Sequence, residues 1–380
     1  MVFTNLLYER VIEANLDSIT KTPRINRQEL ARHVHVPELI EIVYSEDCLS
    51  SKTQSSRLEL LLDRVQDAKN QWLKYKLRLL SAEEIAGLSK SSMRVRNWST
   101  SAQEQLKRFS ARSRYIQQEL GAWACDYYIT ATISRATSSM HLQQNARLDW
   151  KDEEKIHILN TLGQIRVAES LNPPSLQKIS NKCDSLFNFL KGAHNKDFRG
   201  LIFVEQRVTA IALCQLLSEH PETKNLFTSG TFVGTSTNQS RKTELADLLD
   251  QKCQKEVLKN FREGSKNIII ATSALEEGID VSACNVVICF NKPPNLKSFI
   301  QRRGRARHEK STFMILLSSD DNTDLGAAWE RMESKMVEEY MKESRQLDDE
   351  ECRVPDEIED DSMTLRIEST GLVKPHKPLT

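Results

Sequence analysis

Several features that would assign this 380-residue sequence to a protein class at once are missing from it. No apolar run reaches the roughly 18 residues of a transmembrane helix, and no basic segment followed by an apolar one opens the chain, so neither a membrane span nor a secretory signal is expected. The eight cysteines include no CxxC pair, which argues against a metal site or disulfide partners and favours reduced thiols in the cytoplasm or nucleus. No GxxxxGK(S/T) stretch occurs, so a P-loop for phosphates is absent.

The composition nevertheless suits a soluble globular protein. Hydrophobic residues make up 39% and charged residues 28% of the chain, and the formal net charge is +0, which fits two or three domains with cores of their own. Lysine and arginine outnumber acidic residues between positions 51 and 150, whereas acidic residues dominate positions 320–361. A basic middle segment permits nucleic-acid binding, although such charge runs are more often solvated surface.

Two short apolar runs predict the centre of the fold. Asn267 to Thr272 and Asn285 to Phe290 read as buried strands, and a helix is predicted from about Asn295. Strands alternating with helical spacers favour an α/β fold with a parallel, doubly wound sheet. Ligands of such sheets bind at the carboxyl ends of the strands, where Thr272 and the turn at Gly278 fall.

An arginine-rich segment, QRRGRAR, ends the predicted helix at Gln301 to Arg307. Phosphoryl transfer depends on positioning and charge neutralisation, so arginines on a rigid element suit the charge of a γ-phosphate. An isolated RxR is more often a solvated basic helix end. The ATSALEEGID stretch just upstream reverses that preference.

These stretches resemble known helicase motifs. ATSALEEGID, residues 271–280, resembles motif V of the superfamily 2 RNA helicases, QRRGRAR resembles their motif VI, and Arg199 to Glu205 resembles motif IV. The resemblance implies a RecA-like helicase C-terminal domain. It also implies that ATP, with Mg²⁺, occupies a site shared with a first RecA-like domain, and that this chain alone does not bind the Mg²⁺.

The resemblance also implies roles for individual residues. Two would act in catalysis as arginine fingers: Arg305 and Arg307. Four would bind the nucleotide, the aspartate at the ribose and the glutamine and arginine at the phosphates: Gly278, Asp280, Gln301 and Arg303. Five would lie along the RNA backbone: Val204, Gly234, Thr235, Thr272 and Ser273.

The segment between Ser51 and Met140 changes to a helical period. One apolar stripe runs along a first long helix: Leu58, Leu61, Leu62, Val65, Ala68, Trp72 and Leu79. A second stripe follows: Leu106, Phe109, Ser113, Ile116, Leu120, Trp123 and Tyr127. Two amphipathic helices without intervening strands predict an all-helical hairpin or bundle, with the aromatic residues in its core.

Segments around these motifs narrow the resemblance to the Dicer family, especially its fungal Dicer-like members. The KTPR connector at 21–24 resembles the exit from the first RecA-like domain, the helical segment resembles the Dicer helical insertion, and Leu365 to Gly371 resembles the start of the small dimerisation domain. The resemblance implies double-stranded RNA as partner and a part in RNA silencing and antiviral defence. Neither a DExD/H strand nor a ribonuclease III carboxylate cluster is found, so the first RecA-like domain and the ribonuclease III portion are expected as missing partners of a fragment.

The expected organisation has five segments. They are the end of the first RecA-like domain with a linker at 1–45, a helical insertion at 46–150, a second RecA-like domain at 151–319, a helical arm at 320–347, and an acidic linker with the truncated start of a dimerisation domain at 348–380. Three functions stay open: an ATP-dependent double-stranded RNA helicase or translocase, a non-catalytic RNA-binding or scaffold module, and a DNA-repair helicase with a helical insertion.

Overall fold

A computed structural model describes residues 36–46, 55–78, 101–141, 152–165, 174, 179–234, 249, 254–276, 281, 284–321, 325–336 and 338. The chain divides into two compact units, 1–331 and 332–380, and the elements below lie in the first. Residues 325–336 are helical. No helix in the described part of the chain combines the length and apolar composition needed to cross a membrane.

A parallel sheet forms the centre of the first unit. Its six strands are β1 Glu38–Tyr44, β2 Gly200–Phe203, β3 Ser229–Phe232, β4 Ile268–Ala271, β5 Val286–Cys289 and β6 Thr312–Ser318. They lie in the order β1-β6-β5-β2-β4-β3, and every neighbouring pair is parallel. The strands β2, β4 and β5 are short and apolar, as expected where helices cover both faces. The α/β fold with a parallel sheet is therefore confirmed.

Helices cover both faces of this sheet. They are α1 Ser56–Arg78, α2 Ser101–Leu120, α3 Ala122–His141, α4 Asp152–Gly163, α5 Asn181–Ala193, α6 Arg207–Glu219, α7 Gln254–Arg262 and α8 Leu296–Arg303. Alternate strand residues point to opposite cores because the side-chain period of a strand is two. Ile202 and Ile270 face a core shared with α1 to α6, whereas Leu201 and Ile269 face a core that includes Phe299 of α8.

The helical layer differs from the two helices that the sequence predicts. Its second apolar stripe is divided between α2 and α3 at Gly121, where φ is +98°. Glycine reaches this region of backbone space without the steric cost that a Cβ would bring. The stripe itself is confirmed as core, since Leu106, Phe109, Ser113 and Ile116 are all buried.

Two of the expected domain boundaries need correction. β1 pairs with β6 from Glu38 opposite Thr312 to Tyr44 opposite Ser318, so this strand belongs to the same sheet as β2 to β6 and not to a separate domain that ends at residue 45. The helical layer also continues beyond residue 150, because α4 packs against α1, α2 and α3. Residues 1–35 and 339–380 lie outside the described residues.

The break at Gly121 gives a test of this architecture. Gly121→Ala is expected to lower the free energy of unfolding by about 1–2 kcal/mol, because a Cβ is strained at positive φ. Gly163→Ala is the matched control, since no atom lies within 4 Å of a Cβ added there and alanine favours helix by up to about 1 kcal/mol. Equilibrium urea unfolding measures both. Equal stability of the two variants would contradict the assigned backbone.

Candidate functional site

Three of the predicted RNA-facing segments meet at the carboxyl edge of the sheet. Val204 follows β2, Thr272 follows β4 and Gly234 closely follows β3, and these strands are neighbours. The Val204 amide donates to the Ala271 carbonyl at 2.8 Å, and the Thr272 amide donates to the Phe232 carbonyl at 3.2 Å. The Gly234 amide lies 3.5 Å from Thr272 Oγ1. The structure therefore brings these predicted residues together.

Their exposure separates them. Ser273 is exposed and Gly234 is partly exposed, whereas Val204 is 0% and Thr272 7% exposed. The Val204 side chain therefore lies in the core, and its amide is already engaged with β4. Thr235, Gly278 and Asp280 lie outside the described residues.

Glu276 connects the loop after β4 to α8 and to the segment that follows α8. Its carboxylate accepts from Arg302 Nε at 2.8 Å and from Ser298 Oγ at 3.1 Å. Its carbonyl oxygen accepts from Arg305 Nη2 at 2.7 Å. The loop after β4 is thereby fastened both to α8 and to the arginine-rich segment that follows it.

Arg302 is the cation of a buried ion pair. Its side chain is 4% exposed and that of Glu276 is 9% exposed. The guanidinium also donates from Nη1 to the Asn291 carbonyl at 3.3 Å and lies 5.0 Å from the Phe203 ring centroid. Burial of a charge is tolerated only with such partners. Sequence reasoning missed both Glu276 and Arg302, although each lies within a motif whose neighbouring residues were assigned.

The predicted nucleotide-side arginines are not equivalent. Arg305 is 5% exposed and is bonded to Glu276. Arg303 and Arg307 are partly exposed. Arg303 lies 3.7 Å from the Glu330 carboxylate, and Arg307 Nε donates to the Gly304 carbonyl at 3.3 Å. Of these three arginines, Arg303 and Arg307 thus reach the surface, while Arg305 faces inward.

A groove of about 470 Å³ lies beside these elements. It is lined by Ser273, Ala274, Glu276, Asn295, Lys297, Ser298 and Gln301. Asn295 caps α8 by accepting from the Ser298 amide at 2.9 Å, which fixes the helix start at the groove. The groove joins the predicted RNA residue Ser273 to the predicted nucleotide residue Gln301.

The cysteines of this region have a packing role. Cys284 and Cys289 are fully buried. Burial raises the pKa of the Cys284 thiol to about 12 and that of Cys289 to about 11, so both stay protonated at neutral pH. Among the residues described, no group of three or more His, Cys, Asp and Glu side chains could hold a metal ion.

The buried ion pair gives a test of this geometry. Arg302→Met leaves the Glu276 carboxylate buried without its cation, so the free energy of unfolding is expected to fall by about 3–5 kcal/mol. The control is Lys259→Met, whose partner Glu263 lies 3.8 Å away in an exposed pair, with an expected change below about 1 kcal/mol. Urea unfolding compares the two. A similarly small decrease in both would show that the pair is solvated.

Comparison with known proteins adds to this geometry. Residues 181–309 match the helicase conserved C-terminal domain. The chain is 40% identical over 373 residues to Dicer-like protein 2 of Neosartorya fischeri, a match that covers 95% of this chain and 26% of that protein. It is 42% identical over 347 residues to Dicer-like protein 2 of Aspergillus fumigatus, covering 89% and 24%.

One similar solved structure is the Pyrococcus furiosus Hef helicase domain, at 18% identity and a TM-score of 0.37 over 80% of this chain and 60% of that one. The chain spans about a quarter of the length of the curated relatives it matches. Over 95% of its length the chain is thus a homologue of fungal Dicer-like proteins, and its residues 181–309 match the helicase conserved C-terminal domain.

Proposed function

We propose that this chain supplies the C-terminal RecA-like half of an ATP-dependent helicase or translocase that acts on double-stranded RNA in RNA silencing and antiviral defence. The observation that carries the proposal is the Glu276 junction, which fixes the loop after β4 to α8 and Arg305. Residues expected to meet RNA and residues expected to meet a nucleotide thereby become parts of one rigid edge. Homology to Dicer-like proteins and the match to the helicase C-terminal domain support the same reading.

ATP would bind between this edge and a first RecA-like domain. Gln301 lines the groove that also contains Ser273, and Arg303 and Arg307 are partly exposed. The guanidinium groups of these two arginines fit an anionic phosphate chain. Arg305 fits direct contact less well, because it is 5% exposed and holds Glu276. Gly278 and Asp280 are proposed for the sugar side. Bound ATP would supply the γ-phosphoryl group, and its transfer to water would drive the motor. No described residue is assigned to Mg²⁺.

Within this chain, the arginines would neutralise charge that develops on the phosphates. A guanidinium is always protonated and offers several N–H donors in a fixed plane. The Glu276 and Gly304 carbonyl oxygens accept from Arg305 and Arg307, which restricts both side chains before any ligand arrives. Preorganised donors of this kind need little rearrangement in the reaction.

Double-stranded RNA would be held along its backbone. A-form duplexes are recognised through phosphates and 2′-hydroxyls, because side chains cannot read their narrow major groove. Ser273 and Gly234, with Thr235, would contact the backbone, while the buried Val204 and Thr272 would shape their loops. The helical layer adds positive charge, since Lys107 and Arg108 of α2 are exposed.

The nucleotide proposal predicts a strong decrease in turnover in arginine variants. In a protein that joins this chain to the first RecA-like domain of a Dicer-like relative, Arg307→Ala is expected to lower ATP turnover by about 10³–10⁵, as arginine fingers do elsewhere. Arg305→Ala is expected to lower turnover as well, because it removes the hydrogen bond that holds the loop at Glu276. Nucleotide affinity should change much less. The control is Arg262→Ala, at an exposed position of α7.

Steady-state ATPase assays measure this effect. The 380-residue chain without the added domain should show no turnover above background, since its sequence has no P-loop. Normal turnover in both arginine variants would show that the segment is only a basic surface with no part in ATP hydrolysis. Turnover by the chain alone would require a different nucleotide site.

The RNA proposal predicts sequence-independent binding that prefers RNA duplexes. Reversing the charge of Lys107, Arg108 and Arg112 to Glu should weaken binding of all duplex sequences. It should also reduce the salt slope by about 0.9 for each phosphate that the variant no longer neutralises. The control is Lys259→Glu, since α7 packs on the opposite face of the sheet from α2.

Fluorescence anisotropy with matched RNA and DNA duplexes at two salt concentrations tests this prediction. Preference for the RNA duplex and a steep fall of affinity with salt are expected. Equal affinity for the two duplexes would favour a DNA-repair helicase. Affinity that is indifferent to salt would favour a scaffold.

A further inference from the structure

A partly buried carboxylate at the end of α2 contacts the loop after β5. Glu119 Oε2 accepts from Lys182 Nζ at 2.6 Å and from Asn291 Nδ2 at 2.8 Å. The side chain of Lys182 is 7% exposed and that of Glu119 is 18% exposed. The Glu119 carbonyl also accepts from Ser180 Oγ at 2.7 Å. The last turn of α2 is therefore fixed to the start of α5 and to the loop after β5.

Asn291 is held at every polar position of its side chain. Its Nδ2 donates to Glu119, and its Oδ1 accepts from the Glu205 amide at 3.0 Å. The main-chain carbonyl oxygen of Asn291 accepts from Arg302 Nη1 at 3.3 Å. The orientation of this residue thus depends on α2, on the segment after β2 and on α8 together.

The hydrogen bonds continue without interruption to the arginine-rich segment. From Asn291 they pass through Arg302 to the Glu276 carboxylate, and from the Glu276 carbonyl to Arg305. Every residue of this path is at least partly buried. Buried polar networks are costly when one member is deprived of its partner. A displacement of Glu119 would therefore shift the other residues of this network.

Lys182 alone would neutralise the charge of Glu119. The hydrogen bond from Asn291 therefore fixes the orientation of the Asn291 side chain and is not needed to compensate charge. Lys182 Nζ lies 4.4 Å from the Phe290 ring centroid, beside the residue that precedes Asn291. An apolar contact of the same volume would stabilise this junction at least as well. The polar arrangement specifies one position of Asn291 relative to α2.

We propose that Glu119 is a positioning residue. Through Asn291 it fixes Arg302, and with it the arginine-rich segment Gln301 to Arg307. This inference rests on the proposed function, in which that segment faces the nucleotide. Because α2 also carries the basic surface with Lys107 and Arg108, RNA bound to the helical layer would act on the arginines through this path.

An exchange of donor and acceptor tests the path. Asn291→Asp keeps an oxygen for the Glu205 amide and nearly the same shape, but it sets two carboxylates against each other at the Glu119 contact. Adding Glu119→Gln removes this repulsion and restores a hydrogen bond with donor and acceptor exchanged, while Lys182, which donates to the same Oε2 atom, loses that acceptor. Asn188→Asp is the matched control, since Asn188 Nδ2 donates to the Asp184 carboxylate at 3.2 Å at an exposed site.

The measurement is amide hydrogen exchange of the 380-residue chain by mass spectrometry, without nucleotide or RNA. In Asn291→Asp, exchange at residues 296–307 is expected to rise on the order of tenfold while strand β4 keeps its protection. The double variant should return part of the way to the wild-type rate, and Asn188→Asp should exchange at the wild-type rate. No ligand takes part, so the result is independent of whether the nucleotide and RNA proposals hold.

Three results would overturn the proposal. Wild-type exchange at 296–307 in Asn291→Asp would show that the contact does not position the segment. An equal rise in β4 would show that it serves general stability. Failure of the double variant to restore protection would show that the Glu119 hydrogen bond is not the link.

Discussion

The buried pair of Glu276 and Arg302 is the interaction on which this edge of the molecule depends. A carboxylate and a guanidinium removed from water lose more hydration energy than their attraction returns, unless further hydrogen bonds complete both groups. Ser298 and the Asn291 carbonyl complete them here. A loop after a central strand would otherwise be an independent surface segment. The pair makes it move as one body with α8.

Much of the fold could be predicted because its signals are local. Short apolar runs marked β4 and β5, and the helix predicted from about Asn295 begins at Leu296 with Asn295 as its N-cap. Pairing between distant segments carries no such signal. The ELIEIVY sequence of β1 reads as a strand, but nothing in it tells which sheet receives it. The split between α2 and α3 was not predictable because one apolar stripe continues across Gly121.

The site was predictable in its location and less so in its contacts. Parallel strands bring their carboxyl ends together, so motif residues after β2 and β4 had to meet. Exposure depends on tertiary packing, which a motif does not encode. Val204 therefore proved to be a core residue and Arg305 an inward-facing one. Glu276 and Arg302, the residues that fix the geometry, resemble ordinary surface charges until their burial is known.

The place of β1 has a consequence for where this chain can be cut. Residues 181–309 include β2 to β5 but neither β6 nor its neighbour β1. A protein trimmed to those limits would leave the backbone N–H and C=O groups of β5 unpaired along an apolar strand. Such open edges recruit strands from other molecules and aggregate. β6 would pair with β5, but β6 would then be exposed in its turn, so the piece that keeps all six strands also includes the segment from 38 to 44, far away in the sequence.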